Sequence, residues 1–167
     1  MARGNPRHVI ARTSWVYAPF GGNFVRTMLR LSSERERLGV VDDQVGCPTY
    51  APDIADTILA VAMQISNGGW REAYAGVTHI AGPDALSWCE FARKIVAGAA
   101  ERGGRSVPVD AITTAQFPTP ARRPANSTLS TERLGSLFGL RLPPLDRSLS
   151  ACLDRLVGEP SITGASA

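Results

Sequence analysis

A single lysine, Lys94, two histidines, His8 and His79, and three scattered cysteines, Cys47, Cys89 and Cys152, are the scarce residues of this 167-residue chain. Each scarcity excludes something. The one lysine follows Glu90 at four residues, so no Tyr-x-x-x-Lys pair exists. No Cys-x-x-Cys or His-Glu-x-x-His spacing occurs, which excludes the zinc and dithiol motifs and leaves three reduced, mostly buried thiols as the expectation. Gly21-Gly22, Gly68-Gly69 and Gly103-Gly104 each lack a third glycine and a preceding strand. No glycine-rich turn is therefore present to cradle a diphosphate at a helix N-terminus. Both histidines fall on expected strands rather than at a loop tip, where a Ser-His-Asp arrangement would need one. No apolar run approaches about 20 residues, so no transmembrane helix is expected. The first six residues carry no apolar signal-peptide core, and a cytoplasmic protein without a membrane partner is the expectation.

What is there is ordinary globular material: 44% hydrophobic and 20% charged residues, which exclude disorder, collagen and coiled coil. The length suits one domain with a buried core. The net charge of +3 comes from 17 arginines and the one lysine against 15 acidic residues. The arginines are scattered, with no run longer than Arg122-Arg123, and a nucleic-acid partner is not expected from such a pattern.

Periodicity then orders the chain. His8 to Arg12 is a short β-branched run that reads as a buried strand, followed by a proline- and glycine-bearing loop over 13–22. Asn23 is a good N-cap for a helix over 24–37. A minimal strand at 39–41 precedes an irregular polar loop over 42–52. Residues 53–65 form a helix whose Ile54, Ile58, Val61 and Ile65 read as one core face, closed by Asn67-Gly68-Gly69. A strand over 77–81 follows. Ser87 and Glu90 then make a capping box that opens a helix with Trp88, Phe91 and Ile95 on its core side. A short strand at 107–109, a proline-punctuated loop over 110–127 and helices near 131–138 and 145–157 complete the order. The tail beyond 158 reads as frayed. The alternation is that of an α/β protein. About four strands are fewer than a doubly wound sheet carries, so the chain reads as the later part of something larger.

The segment Arg12-Thr13-Ser14-Trp15-Val16-Tyr17 leaves the C-terminal end of a strand, where α/β proteins bind ligands. Its indole, phenol and hydroxyls suit sugar recognition, and they suit packing equally well. Further segments join it: 23–29, Val41-Asp42-Asp43-Gln44-Val45-Gly46-Cys47-Pro48-Thr49, 78–82, 87–92, and Pro118 to Ser127 with Arg123-Pro124-Ala125-Asn126-Ser127. In order and spacing, over residues 8–157, these segments resemble the dTDP-4-dehydrorhamnose reductase family of the extended short-chain dehydrogenases.

The resemblance implies a C-terminal portion of such an enzyme: late strands and helices of a Rossmann-type sheet, with the small sugar-nucleotide-binding subdomain. Residues 1–158 would be a partial reductase domain. Within it, 1–38 would end the Rossmann part, 39–157 would be mainly substrate-binding, and 159–167 would be a disordered tail. The family reduces the 4-keto group of dTDP-4-dehydro-L-rhamnose with NADPH or NADH. By resemblance Trp15 lies against the sugar ring, Gln44 and Thr49 line the sugar-nucleotide cleft, and Arg123 and Asn126 contact the ligand, Arg122 with less reason. Thr13 and Ser14 pass the nicotinamide. Gly46 and Pro48 shape a loop that Asp42 and Asp43 anchor. No catalytic residue falls in the chain, because the family's glycine-rich turn, threonine and Tyr-x-x-x-Lys pair precede the segment equivalent to His8. The chain alone is thus expected to be inactive, whether it arises by truncation or from a misassigned start codon. Some members are described as Mg2+-dependent, but no carboxylate cluster here can be assigned to a metal. A homodimer stays open. The competing expectation is a non-catalytic relative, since similar proteins serve as regulatory subunits of methionine adenosyltransferase.

Overall fold

The computed structural model describes residues 4–121 and 123–158. Arg122 and the tail from 159 lie outside them. Strands β1 (Val9–Arg12) and β2 (Val16–Tyr17) precede α1 (Phe24–Glu34). Then follow β3 (Leu38–Val41), β4 (Val45–Gly46), β5 (Thr49–Tyr50) and α2 (Ala51–Gly68). β6 (Gly76–His79), β7 (Leu86–Ser87), α3 (Trp88–Ala100), β8 (Val109–Ile112), α4 (Glu132–Phe138) and α5 (Leu145–Leu156) complete the order.

Local chemistry explains the boundaries. The Asn23 side chain accepts the Arg26 N–H and starts α1. Helix α1 ends at Glu34, short of the expected 37, because β3 begins at Leu38 and pairs with β8 in parallel from Leu38↔Val109 to Val41↔Ile112. That pairing also moves the expected strand at 107–109 to 109–112. Helix α2 starts two residues before Asp53, since Pro52 suits a first helical turn, where its missing N–H is no loss. The Ser87–Glu90 capping box opens α3 as the sequence predicts.

Pairing is in twos among the described residues. β1 runs parallel to β6, and β2 parallel to β5. β4 is antiparallel to β7, with Val45 opposite Ser87 and Gly46 opposite Leu86. One core gathers Val25 and Met28 of α1, Leu38 and Val40 of β3, Phe91 and Ile95 of α3, and Leu149 and Leu153 of α5. Burying each of these side chains is worth about 1.5–3 kcal/mol. A buried arginine ties α3 to α5: Arg102 donates to Asp154 Oδ1 from Nε (2.9 Å) and Nη2 (2.6 Å), and to the Gly98 carbonyl (2.8 Å). A second core holds Val61, Tyr74, Ile80, Leu134 and Phe138. Cys47, Cys89 and Cys152 are free and buried, and burial pushes the Cys152 thiol up to about 11. No helix of the described residues is long and apolar enough to cross a membrane.

Two expectations are corrected. β1 is not a buried strand: Ile10, Ala11 and Arg12 are exposed. Nor is Ile58 a core residue, being 46% exposed, with Leu59 at 61% and Met63 at 63% beside it on α2. One cause serves both. β1 pairs with β6 alone, whereas parallel strands normally have both faces covered, and nothing among the described residues packs over the outer side of α2. An exposed apolar helix face beside an open strand edge invites association. We expect the isolated chain to self-associate with rising concentration in sedimentation velocity. The double variant Leu59→Glu/Met63→Glu should reduce this with little change in the thermal midpoint. A wild-type monomer at all concentrations would contradict this.

Candidate functional site

Trp15 leaves the C-terminal end of β1 with φ +48°, the one positive φ at a non-glycine residue among the described residues. Its carbonyl accepts the Thr49 N–H (3.1 Å), continuing into the β2–β5 pair. The indole stacks on Trp88, ring centroids 3.4 Å apart and planes 5° from parallel. Trp88 in turn packs against Phe24 (4.5 Å), which lies on the buried Phe91. Trp15 Nε1–H donates to Ser127 Oγ (2.9 Å), and the Ser127 hydroxyl donates to the Val45 carbonyl (3.1 Å). A Cβ added to Gly46 would fall closer than 3.0 Å to Cε2, Nε1 and Cζ2 of Trp15, on the face away from Trp88. The half-buried ring therefore has one face filled by Trp88 and its Nε1–Cε2–Cζ2 side approached by Gly46 on the other. Only the remainder of that second face is left uncovered by these two residues.

The 42–49 loop, on the side of Trp15 opposite Trp88, is braced by polar contacts. Asp42 accepts the Ser87 hydroxyl. Asp43 accepts Thr114 N–H (3.0 Å) and Oγ1–H (2.6 Å), and these bonds hold its carboxyl below the usual range. The Gln44 amide donates to the same Thr114 hydroxyl (2.9 Å). Both aspartates anchor the loop, as the sequence predicts. Gln44 and Thr49, which the resemblance places along the cleft, are both buried. Gln44 is buried and turned toward Thr114. Thr49 is 0% exposed, its hydroxyl donating to the Cys47 carbonyl (3.0 Å) and accepting the Gly82 N–H (3.1 Å). Both stiffen the wall from behind.

The segment from Arg123 to Ser127 runs beside β4. Val45 and Asn126 form a parallel bridge, and the Val45 N–H bonds to the Ala125 carbonyl (2.8 Å). Asn126 is exposed and its Oδ1 accepts the N–H (2.9 Å) and hydroxyl (2.8 Å) of Thr128, which fixes the local turn. Arg123 is exposed on the same segment. Thr13 is exposed at the end of β1, while the Ser14 hydroxyl turns toward the Cys47 carbonyl (3.5 Å). Trp15, Asn126 and the loop are thus brought together through Ser127 and Val45. Sequence reasoning treats Trp88 only as core and gives Ser127 and Thr114 no separate role. The Ser-Trp pair opening a capped helix is the signal that could have pointed to Trp88.

A dinucleotide does not fit the glycine-bearing helix start present here. Before α1 the Asn23 side chain already takes the Arg26 N–H, and the Arg26 guanidinium bonds to the Gly21 carbonyl (3.1 Å), so a helix N–H and a loop carbonyl there are occupied. No group of three His, Cys, Asp or Glu residues that could hold a metal occurs among the described residues.

The RmlD substrate binding domain family matches residues 1–157. Over 148 residues the sequence is 43% identical to the dTDP-4-dehydrorhamnose reductase of Sinorhizobium fredii, covering 89% of this chain and 50% of that protein. It is 38% identical over 156 residues to the reductase of Escherichia coli K12, covering 90% and 50%. Among solved structures, the dTDP-4-dehydrorhamnose reductase of Clostridium acetobutylicum superposes with a TM-score of 0.78 at 34% identity, covering 91% of this chain and 50% of that one. The Bacillus anthracis reductase, in complex with NADP, gives 0.73 at 34% identity, covering 86% and 47%. The chain spans about half the length of the curated relatives it matches.

Two outcomes test this geometry. Gly46→Ala should displace the Trp15 ring and destabilise the protein by about 1–3 kcal/mol in urea unfolding, with a changed near-UV circular dichroism spectrum. An unchanged spectrum would contradict the packing. Asp43 contributes to stability while ionised, and that contribution is lost as pH falls through its lowered pKa. The amide of Thr114 should therefore keep its hydrogen-exchange protection at about pH 5 and lose it well below about pH 4, and Asp43→Asn should remove the dependence.

Proposed function

From the premise that the chain belongs to the RmlD substrate binding domain family, we propose that it is the sugar-nucleotide-binding portion of a reductase acting on dTDP-4-dehydro-L-rhamnose. The product would be dTDP-L-rhamnose, and NADPH or NADH the reductant. The observation that carries this reading is the convergence of Trp15, the 42–49 loop and the 123–127 segment, joined by the Trp15–Ser127–Val45 hydrogen bonds. The names of the matched relatives support the substrate.

Each residue then has a task set by its chemistry. The guanidinium of Arg123 holds the diphosphate, for which a planar two-pronged donor is suited. Asn126 offers its amide beside it. The uncovered part of the Trp15 indole meets the C–H face of the hexose and sets its depth. Thr13, at the end of β1, faces the side from which the nicotinamide approaches, and Ser14 shapes that end through Cys47. Gln44 and Thr49 keep the wall rigid.

The nicotinamide cofactor supplies hydride chemistry, and these 167 residues hold neither a glycine-rich cradle for it nor a Tyr-x-x-x-Lys proton donor. A dinucleotide-binding unit therefore belongs beside this one. The exposed strand β1 and the apolar outer side of α2 offer the surface on which it would pack. No carboxylate cluster among the described residues supports a magnesium site.

Isothermal titration of the chain with dTDP-glucose and with dTDP tests the reading. Both should bind, and Arg123→Ala should weaken both by roughly tenfold. With dTDP-4-dehydrorhamnose and NADPH the chain alone should show no turnover. Failure of the wild-type chain to bind either nucleotide would overturn the assignment, and measured turnover would overturn the division of labour.

A further inference from the structure

We propose that Trp88 is a positioning residue for Trp15, its indole being the platform that holds the Trp15 ring where the sugar nucleotide meets it. This role presupposes that Trp15 contacts the sugar, as proposed above.

The backbone at Trp15 is strained. A bulky side chain at φ +48° sits in a region that L-residues disfavour, and it persists only when its surroundings fix it. Ser127 fixes the direction of the indole N–H, and Gly46 leaves room on one side. Neither resists a ring that tips away from the loop. The parallel stack on Trp88 does, over a full face.

Trp88 is suited to be a fixed platform. It is the first residue of α3, directly after the N-cap Ser87. The capping box holds Ser87 to Glu90, with the Ser87 N–H on Glu90 Oε2 (2.7 Å) and the Glu90 N–H on Ser87 Oγ (3.0 Å). The Ser87 hydroxyl also reaches Asp42, and β7 pairs with β4 through Gly46. Phe24 packs against the Trp88 ring and leans on the fully buried Phe91. The platform under Trp15 and the loop over it are therefore parts of one braced unit, and a shift of Trp88 would carry the Trp15 ring with it.

Such a residue acts on the sugar and not on the nucleotide. Trp88→Leu and Trp88→Phe, made in the full 167-residue chain, separate the two. Titration with dTDP-glucose and with dTDP is the readout, and near-UV circular dichroism reports the indole pair. Trp88→Leu should weaken dTDP-glucose by roughly fivefold to tenfold, the worth of about one aromatic contact, and abolish the coupled indole signal. It should change dTDP affinity by less than about twofold. Trp88→Phe keeps a smaller platform and should lie between, and it carries the test if the leucine variant does not fold. Equal losses for both nucleotides would show a merely structural role and overturn the proposal, as would unchanged dTDP-glucose affinity. A wild-type chain that binds neither nucleotide would instead overturn the sugar-nucleotide reading, and this role with it.

Discussion

Everything near the site depends on holding one indole in a conformation its backbone resists. The left-handed region costs a non-glycine residue roughly 1–2 kcal/mol, so Trp15 must be over-determined by its neighbours. It is. Trp88 fills one face, Gly46 closes over part of the other, Ser127 takes the N–H, and Thr49 donates to the carbonyl. These partners come from three stretches of chain separated from one another and from Trp15 itself. The indole is thus the point where β1, the 42–49 loop, the start of α3 and the 123–127 segment are locked to one another.

The loop that Gly46 belongs to has little regular structure, and its rigidity comes from side chains. Asp42 on Ser87, Asp43 and Gln44 on Thr114, and Thr49 between Cys47 and Gly82 are each modest bonds, worth about 1 kcal/mol or somewhat more where a charge takes part. Together they turn a polar stretch into a wall. The same bonds bury Gln44 and Thr49. A polar residue in a binding motif can serve by facing inward, where its hydrogen bonds stiffen the wall.

Much of the fold is legible in the sequence because it is set by local rules. Asn23 as a cap, the Ser87–Glu90 box, the glycines that end α2 and the apolar spacing of α3 act within a few residues. The two-residue strands β2, β4, β5 and β7 are not legible, since each exists only by virtue of a partner far away in sequence. The exposure of Ile10 and Ile58 is hidden for a related reason: an apolar residue states that it can be buried, not that a cover is at hand. At the candidate site, Trp15 is singled out by its motif, and the structure gives it the packing described above. The need for glycine at 46 is not legible, because it is dictated by a ring 31 positions earlier in the chain. Trp88 is read as core from its helical spacing, and half of its role, the face given to Trp15, emerges only in three dimensions.

On the function proposed above, the clamped indole of Trp15 lies at the sugar-nucleotide site. Titration of dTDP-glucose into the 15N-labelled protein, followed by the indole N–H resonances of its three tryptophans, tests this most directly. The Trp15 resonance should move saturably. That of Trp70, which packs in the second core, should stay in place. A saturable shift of Trp70 with Trp15 unmoved would place the ligand elsewhere and contradict the account.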